Sequence, residues 1–126
     1  MASHVRSITV DTLDPYAQAL WWSEVLAVPM SPDDSPGDPE ALLRTQHGDV
    51  LFVAVPDAKT VKNRLHLDLE PSDRSRDDEV VRVLALGAVL VDDRRRPDGT
   101  GWAVLADPEG NEFCVLRSAA ERAATS

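Results

Sequence analysis

The sequence predicts an α+β fold made of two βαβββ modules, which together form one domain over residues 1–126. Short segments alternate apolar and polar residues, as strands do, and longer ones repeat apolar residues every three or four positions, as helices do. The order strand, helix, short strands occurs twice, in predicted modules 4–55 and 64–117. Two such modules produce a mixed sheet with helices on one face.

The first module begins with a strand over 5–11, where Ile8 and Val10 alternate with polar residues. Asp14 and Pro15 then have the residue types favoured at the N-cap and first position of a helix. We expect this helix to bury an apolar stripe of Ala17, Leu20, Trp21, Val25 and Val28. A polar loop over 29–39, two strands over 41–46 and 50–55, and a connector over 56–63 complete the module.

The second module repeats this order. Leucines at positions 65, 67 and 69 alternate with polar residues and predict a strand, and Val80, Val83 and Leu84 predict a helix. We expect strands over 88–92, 102–106 and 112–117, a turn over 94–99 and a frayed tail from Ala119.

The spacing of matching residues supports a duplication. Ser7 lies 59 residues before His66, and Asp14 lies 59 before Asp73. The turn at Gly48 lies 62 residues before the one at Gly110. Similar offsets at several places indicate that one module was copied.

The composition limits the function classes. Thirteen Lys and Arg residues stand against 22 Asp and Glu residues, a formal charge of −9, which argues against nucleic acid and anionic membrane partners. A single cysteine, Cys114, excludes an intrachain disulfide framework and a CxxC metal motif. The chain has no run of apolar residues long enough for a signal peptide or membrane span, so we expect a cytoplasmic protein.

The segment 107–116, DPEGNEFCVL, resembles the closing strand of the glyoxalase/bleomycin resistance/dioxygenase (vicinal oxygen chelate) superfamily. RLHLDL at 64–69, LALGA at 84–88 and the tryptophans at 21–22 after Asp14-Pro15 extend the resemblance to its small glyoxalase-like domain branch. The resemblance implies that the modules form a cup-shaped mixed sheet, with the helices on the outer face and a ligand inside. It also implies a homodimer.

The resemblance places the metal ligands of the family on four positions, which here are Ser7, Phe52, His66 and Cys114. A serine hydroxyl is a poor ligand and phenylalanine has no donor atom, so His66 and Cys114 provide half a site. We therefore expect no metal ligands and no cofactor, and we keep a divalent metal as the less favoured alternative.

Strand alternation predicts which side chains face the inside of the cup. We expect the leucines of 64–69 to pack against the helix, and Leu51, Val53 and Val55 to pack in the first module. The ligand-binding residues predicted in this way are Ser7, Thr9, Asp11, Phe52, His66, Asp68 and Cys114. Trp102 is added to them, because it opens a strand after a glycine-rich turn and is expected at the mouth of the cup. A sheet with one face in solvent would show the same alternation of residues without binding a ligand.

We therefore expect a protein that binds a small molecule, of cationic or amphipathic character, in the cup without a catalytic metal, as drug-binding members of the superfamily do. The alternative is an enzyme, a lyase, an isomerase or a dioxygenase with or without a divalent metal, in which His66 and Asp68 are catalytic and His66 acts as a general base. A third hypothesis is a dimerising module without a ligand.

Overall fold

The computed structural model describes residues 2–125, and two compact units make up the chain: Met1–Ala58, called unit 1, and Lys59–Ser126, called unit 2. Their boundary lies within the predicted connector 56–63. Both units combine helices with mixed sheets, which confirms the α+β fold class. Among the helices of the described residues, none has the length and apolar character needed to cross a membrane.

The elements follow the predicted order. Unit 1 contains β1 (Ser7–Thr12), α1 (Pro15–Leu26), β2 (Glu40–Thr45) and β3 (Gly48–Ala54). Unit 2 contains β4 (Asp68–Leu69), α2 (Arg76–Ala85), β5 (Val89–Asp93), β6 (Ala103–Ala106), β7 (Glu112–Val115) and α3 (Ala119–Thr125). Unit 2 therefore has the full βαβββ order, whereas two strands follow the helix within residues 2–58.

The sheet of unit 1 has the order β1-β3-β2, with β1 parallel and β2 antiparallel to β3. Val50 and Phe52 pair with Leu43 and Ala41, and all four side chains are buried. Phe52 thus belongs to the core, and the prediction that Leu51, Val53 and Val55 form the packed side of this strand was wrong. Both faces of LFVAV are apolar, so alternation alone could not identify the buried one.

Helix α1 begins as predicted, with Pro15 at its start and the Asp14 carboxylate accepting the Ala17 N–H at 3.2 Å. Of the predicted apolar stripe, Val25 is buried, but the rest of the prediction was wrong, because Trp22 is 4% exposed whereas Trp21 is half-buried. The buried face consists of Pro15, Gln18, Ala19, Trp22, Ser23 and Val25. Two of these are polar, so a search for apolar residues selected the neighbouring face.

The sheet of unit 2 has the order β4-β7-β6-β5, with β4 parallel to β7 and the other pairs antiparallel. Val80 and Val83 of α2 are buried with Phe113 and Val115 of β7. The predicted strand over the leucines shortens to two residues, and Leu65 is 90% exposed rather than packed.

The DPEGN segment is a closed turn between β6 and β7. Asp107 is buried, and its carboxylate accepts the N–H groups of Glu109 and Asn111 at 2.9 Å each. Gly110 has φ +86°, a backbone conformation that residues with a Cβ rarely adopt. The motif therefore fixes the register of β7 against β6 and contributes no side chain to ligand chemistry.

The tail after Ser118 is helical, so the expectation of a frayed tail was wrong. Ser118 and Glu121 form a capping box: Glu121 accepts the Ser118 N–H at 2.9 Å, and Ser118 Oγ accepts the Glu121 N–H at 3.1 Å. The same Glu121 carboxylate oxygen accepts the N–H of Arg76 at 2.6 Å. Glu121 thus connects α3 to the first turn of α2.

Arg76 connects α2 to the turn between β5 and β6. Its side chain is buried, and Nη1 donates to the carbonyl oxygens of Gly99, Thr100 and Gly101 at 2.8–3.2 Å. Charge-assisted hydrogen bonds of this kind are roughly twice as strong as neutral ones. Arg76 therefore holds the turn that immediately precedes Trp102.

Replacing Arg76 with methionine, which keeps most of the apolar stem, should lower the free energy of unfolding by about 2–3 kcal/mol. The loss arises because carbonyl groups of the turn lose a charged donor. Urea unfolding followed by circular dichroism measures it. Arg74→Met is the matched control, since Arg74 is exposed and pairs with its neighbour Asp73. An equal loss in both variants would contradict this role of Arg76.

Candidate functional site

A row of four side chains crosses the sheet of unit 2. Asp68 of β4 is paired with Cys114 of β7, Cys114 with Val104 of β6, and Val104 with Asp92 of β5. Residues directly opposite each other in neighbouring strands project from the same face of a sheet. The register therefore brings two carboxylates, a thiol and an apolar side chain onto one face.

This face lines a cavity of about 380 Å³, within the range of small-molecule sites. The lining residues are Lys62, His66, Asp68, Asp92, Arg94, Trp102, Val104, Glu112, Cys114 and Leu116. All of these lining residues belong to unit 2. Its wall combines apolar side chains with charged ones.

The apolar part of the wall is made by Trp102, Val104 and Leu116. Trp102 is held at the end of the β5–β6 turn, where its carbonyl oxygen accepts the N–H of Arg94 at 2.9 Å. Gly101 makes this turn possible, since a Cβ there would collide with the carbonyl oxygen of Arg94. The hydrogen-bonded turn therefore fixes the backbone of Trp102 at the cavity wall.

Two of the carboxylates in the cavity are already paired. Asp92 Oδ2 accepts a hydrogen bond from Arg94 Nε at 2.7 Å. Glu112 pairs with Lys59 at 3.2 Å and accepts the Asn63 N–H at 3.1 Å. Burial by itself raises the pKa of Glu112, but these partners outweigh it and hold the pKa below its usual value. Glu112 is thus ionised at neutral pH and fixes the segment before β4.

Asp68 is the remaining carboxylate. Within residues 2–124 its one ion-pair partner is His66, whose Nδ1 lies 3.4 Å from Asp68 Oδ1. The two side chains are 42% (His66) and 53% (Asp68) exposed, so both are open to a ligand. His66 Nδ1 also lies 3.7 Å from Cys114 Sγ. His66, Asp68 and Cys114 are called the inner cluster below.

Cys114 is held in its thiol form. Burial, followed by the negative charge of Asp68 and a hydrogen bond with it, raises the pKa of the thiol to about 11. The thiolate is the nucleophilic form of cysteine, so Cys114 is a poor nucleophile at neutral pH.

The predicted ligand-binding residues fall into two groups. Four of them line the cavity of unit 2: His66, Asp68, Trp102 and Cys114. The other four, Ser7, Thr9, Asp11 and Phe52, belong to unit 1 and are not among the lining residues. The β1–β3 register places the three polar side chains on the sheet face opposite Phe52.

Sequence reasoning did not identify Lys62, Asp92, Arg94 and Val104 as lining residues. Alternation could not identify Val104, because the segment WAVLA at 102–106 is apolar on both faces. It could not identify Asp92 either, because the β5–β6 register shifts between Leu90 and Asp92 and breaks the alternation.

The four-ligand metal set that the resemblance implies does not fit this chain. The position corresponding to Phe52 has no donor atom and lies in the core of unit 1. Ser7 offers a hydroxyl, which is a weak ligand for Mg²⁺, Mn²⁺ or Ni²⁺ at neutral pH. A family-type metal would therefore lack two of its four ligands in this chain.

A comparison with the curated proteins found no significant match. Three similar solved structures share the fold. A mutant of the fosfomycin resistance protein FosX from Listeria monocytogenes is 16% identical, with TM-score 0.71, 99% of this chain and 98% of that chain covered. A glyoxalase/bleomycin resistance protein/dioxygenase family enzyme from Burkholderia phytofirmans is 22% identical, with TM-score 0.65 and coverages of 86% and 94%. TioX from Micromonospora is 22% identical, with TM-score 0.62 and coverages of 92% and 98%.

The family comparison covers most of the chain. The family model of the glyoxalase-like domain matches residues 7–116, which cover most of both units and every lining residue of the cavity. This match shows that the chain belongs to the glyoxalase-like domain family of the vicinal oxygen chelate superfamily.

Proposed function

We propose that the chain binds a small amphipathic molecule in the cavity of unit 2, without a family-type catalytic metal. The observation that carries the proposal is the composition of the wall. Trp102, Val104 and Leu116 offer an apolar surface, and Asp68 offers a half-exposed carboxylate that no arginine or lysine of the described residues neutralises. Such a wall accepts a flat apolar body and a cation or hydrogen-bond donor.

The charges at the cavity favour a cation at the position of Asp68. Arg94 and Lys59 already neutralise Asp92 and Glu112, so they do not offset the charge of Asp68. Lys62 lines the cavity but is exposed, so water screens much of its charge. The Listeria FosX mutant was solved with Mn(II) and 1S,2S-dihydroxypropylphosphonic acid, an anion. Asp68 disfavours an anionic ligand of that kind here.

A second candidate is acid–base chemistry on the bound molecule. The separation of 3.4 Å between His66 Nδ1 and Asp68 Oδ1 supports it, since a carboxylate beside an imidazole can orient it as a general base. The protonated thiol of Cys114 supports neither nucleophilic nor covalent catalysis. Mass spectrometry of small molecules recovered after incubation separates the candidates, because a binding protein returns them unchanged.

We also propose that the chain forms a homodimer. Strand β5 lies at one edge of the unit 2 sheet and exposes the apolar side chains of Val89, Leu90 and Val91. An exposed apolar edge strand is a template for pairing with another chain. Light scattering after size-exclusion chromatography should give about twice the mass of one chain, and a monomer at all concentrations would contradict the proposal.

N-methylacridinium and acridine, which differ by charge at pH 7.5, test the binding proposal. We expect saturable quenching of Trp102 fluorescence, with the cation bound more tightly than acridine and its affinity falling as salt rises. Asp68→Asn should weaken binding of the cation about three- to fivefold and leave that of acridine unchanged. Trp102→Phe is the spectroscopic reference.

Two variants serve as matched controls for Asp68→Asn. Asp92→Asn removes a carboxylate that is paired with Arg94, so it should change the affinity for the cation little. Lys62→Gln removes a positive charge and should strengthen rather than weaken binding of the cation. Equal effects of Asp68→Asn and Asp92→Asn, or no saturable binding of either probe, would contradict the proposal.

Alkylation of Cys114 by iodoacetamide tests the protonation state of the inner cluster. At pH 8 with chelator present, a thiol whose pKa is about 11 instead of 9.0 holds about a hundredfold less thiolate, so labelling should be slow. Asp68→Asn should accelerate it by removing a negative charge, and Asp92→Asn should not. Mass spectrometry follows the reaction, and urea-unfolded protein gives the fast reference rate.

A further inference from the structure

The inner cluster brings three kinds of metal donor together. A ring nitrogen of His66, a carboxylate oxygen of Asp68 and Cys114 Sγ lie within 4.8 Å of one another. His66 Nδ1 lies 3.4 Å from Asp68 Oδ1 and 3.7 Å from Cys114 Sγ. The N···O distance of 3.4 Å is long for a hydrogen bond, whose usual N···O distance is about 2.7–3.2 Å.

The same distances fit donors around a tetrahedral zinc ion. Zinc binds nitrogen and oxygen at about 2.0–2.1 Å and sulfur at about 2.3 Å. At tetrahedral angles these bond lengths place nitrogen and oxygen about 3.4 Å apart, and nitrogen and sulfur about 3.6 Å apart. The observed 3.4 and 3.7 Å match both values. The two distances from His66 Nδ1 therefore suit donors that share one ion, and the three donor groups lie within 4.8 Å of one another.

The backbone holds two of the donors in this arrangement. Asp68 and Cys114 are direct partners in the β4–β7 ladder. The bonds on either side of Asp68, from Cys114 N to Leu67 O and from Leu116 N to Leu69 O, are both 2.8 Å long. The cluster is therefore part of a hydrogen-bonded sheet, and its third member, His66, is two residues before Asp68 in the same chain segment.

We propose that His66, Asp68 and Cys114 bind a thiophilic divalent cation, Zn²⁺, in a three-ligand tetrahedral site whose fourth position opens to the cavity. One imidazole nitrogen, one carboxylate and one thiolate form a ligand set that suits zinc, whereas Mg²⁺ and Mn²⁺ prefer oxygen donors. The site lies within unit 2 and uses neither Ser7 nor Phe52. It keeps two of the four family positions, His66 and Cys114, and takes its third ligand from Asp68, which is not one of the four.

Binding of Zn²⁺ to the inner cluster is balanced in charge and in protons. Binding replaces the thiol proton of Cys114 with the metal and releases one proton to solvent, and the thiolate with the Asp68 carboxylate then neutralises the two charges of Zn²⁺. The other two carboxylates of the cavity do not compete, since Arg94 and Lys59 pair with them. The exposed side chains of His66 and Asp68 give the ion a path from solvent.

Calorimetric titration of the chelator-treated protein with Zn²⁺ tests the site, and Co²⁺ provides a spectroscopic probe. We expect one equivalent of Zn²⁺ per chain, release of one proton, and no binding of Mg²⁺ at the same concentration. The Co²⁺ complex should show the near-ultraviolet absorption of a thiolate–cobalt bond and the strong visible bands of tetrahedral cobalt. Cys114→Ser should abolish the near-ultraviolet band, and Asp68→Asn should weaken binding about 10- to 100-fold.

Three variants control for other donors. Asp92→Asn removes a cavity carboxylate outside the inner cluster, and His4→Ala and His47→Ala remove the other two histidines of the sequence. None of the three should change affinity or spectrum. Zinc binding that survives Cys114→Ser, that disappears with His4→Ala or His47→Ala, or that equals the binding of Mg²⁺ would overturn the site. Circular dichroism confirms that each variant is folded.

Competition separates this proposal from that of the organic ligand. Zinc bound to Asp68 removes the negative charge that attracts N-methylacridinium, so saturating Zn²⁺ should weaken binding of the cation and leave that of acridine unchanged. Zinc binding without saturable binding of either acridine probe would retain the metal site and reject the proposed function. Binding of N-methylacridinium without zinc binding would retain the proposed function and reject the metal site.

Discussion

The short parallel pairing of β4 with β7 supports the whole candidate site. Two backbone hydrogen bonds, on either side of Asp68, hold it opposite Cys114. Glu112, at the start of β7, fixes the segment that leads into β4 through Lys59 and the Asn63 N–H. Because β4 has two residues, the position of His66 depends on these contacts rather than on a long strand.

One sheet face in the cavity carries both neutralised charges and a cluster of potential ligand groups. Pairing of Asp92 with Arg94, and of Glu112 with Lys59, satisfies the charges at its sides. The centre keeps an imidazole, a carboxylate and a thiol whose donor atoms lie within 4.8 Å of one another. The buried thiol beside Asp68 retains its proton, so the cluster carries less negative charge than its composition indicates.

The sequence was sufficient for the fold class, because the hydrophobic periodicity of the elements, the N-cap at Asp14 and the DPEGN turn are local signals. It was also sufficient to select His66, Asp68, Trp102 and Cys114, which line one cavity. It failed where both faces of an element are apolar. In β3 and α1 the choice of buried face depends on packing, and the large side chains of Phe52 and Trp22 take the core positions.

The capping box of α3 connects this helix to the sheet of unit 2 through hydrogen bonds. Glu121 accepts the Arg76 N–H, and Arg76 in turn holds the turn that supports Trp102. A purification tag or a truncation that unwinds the last helix would therefore loosen the indole wall through two intermediate residues. Protein engineered at this end is best compared with an amino-terminally tagged version before any ligand affinity is interpreted.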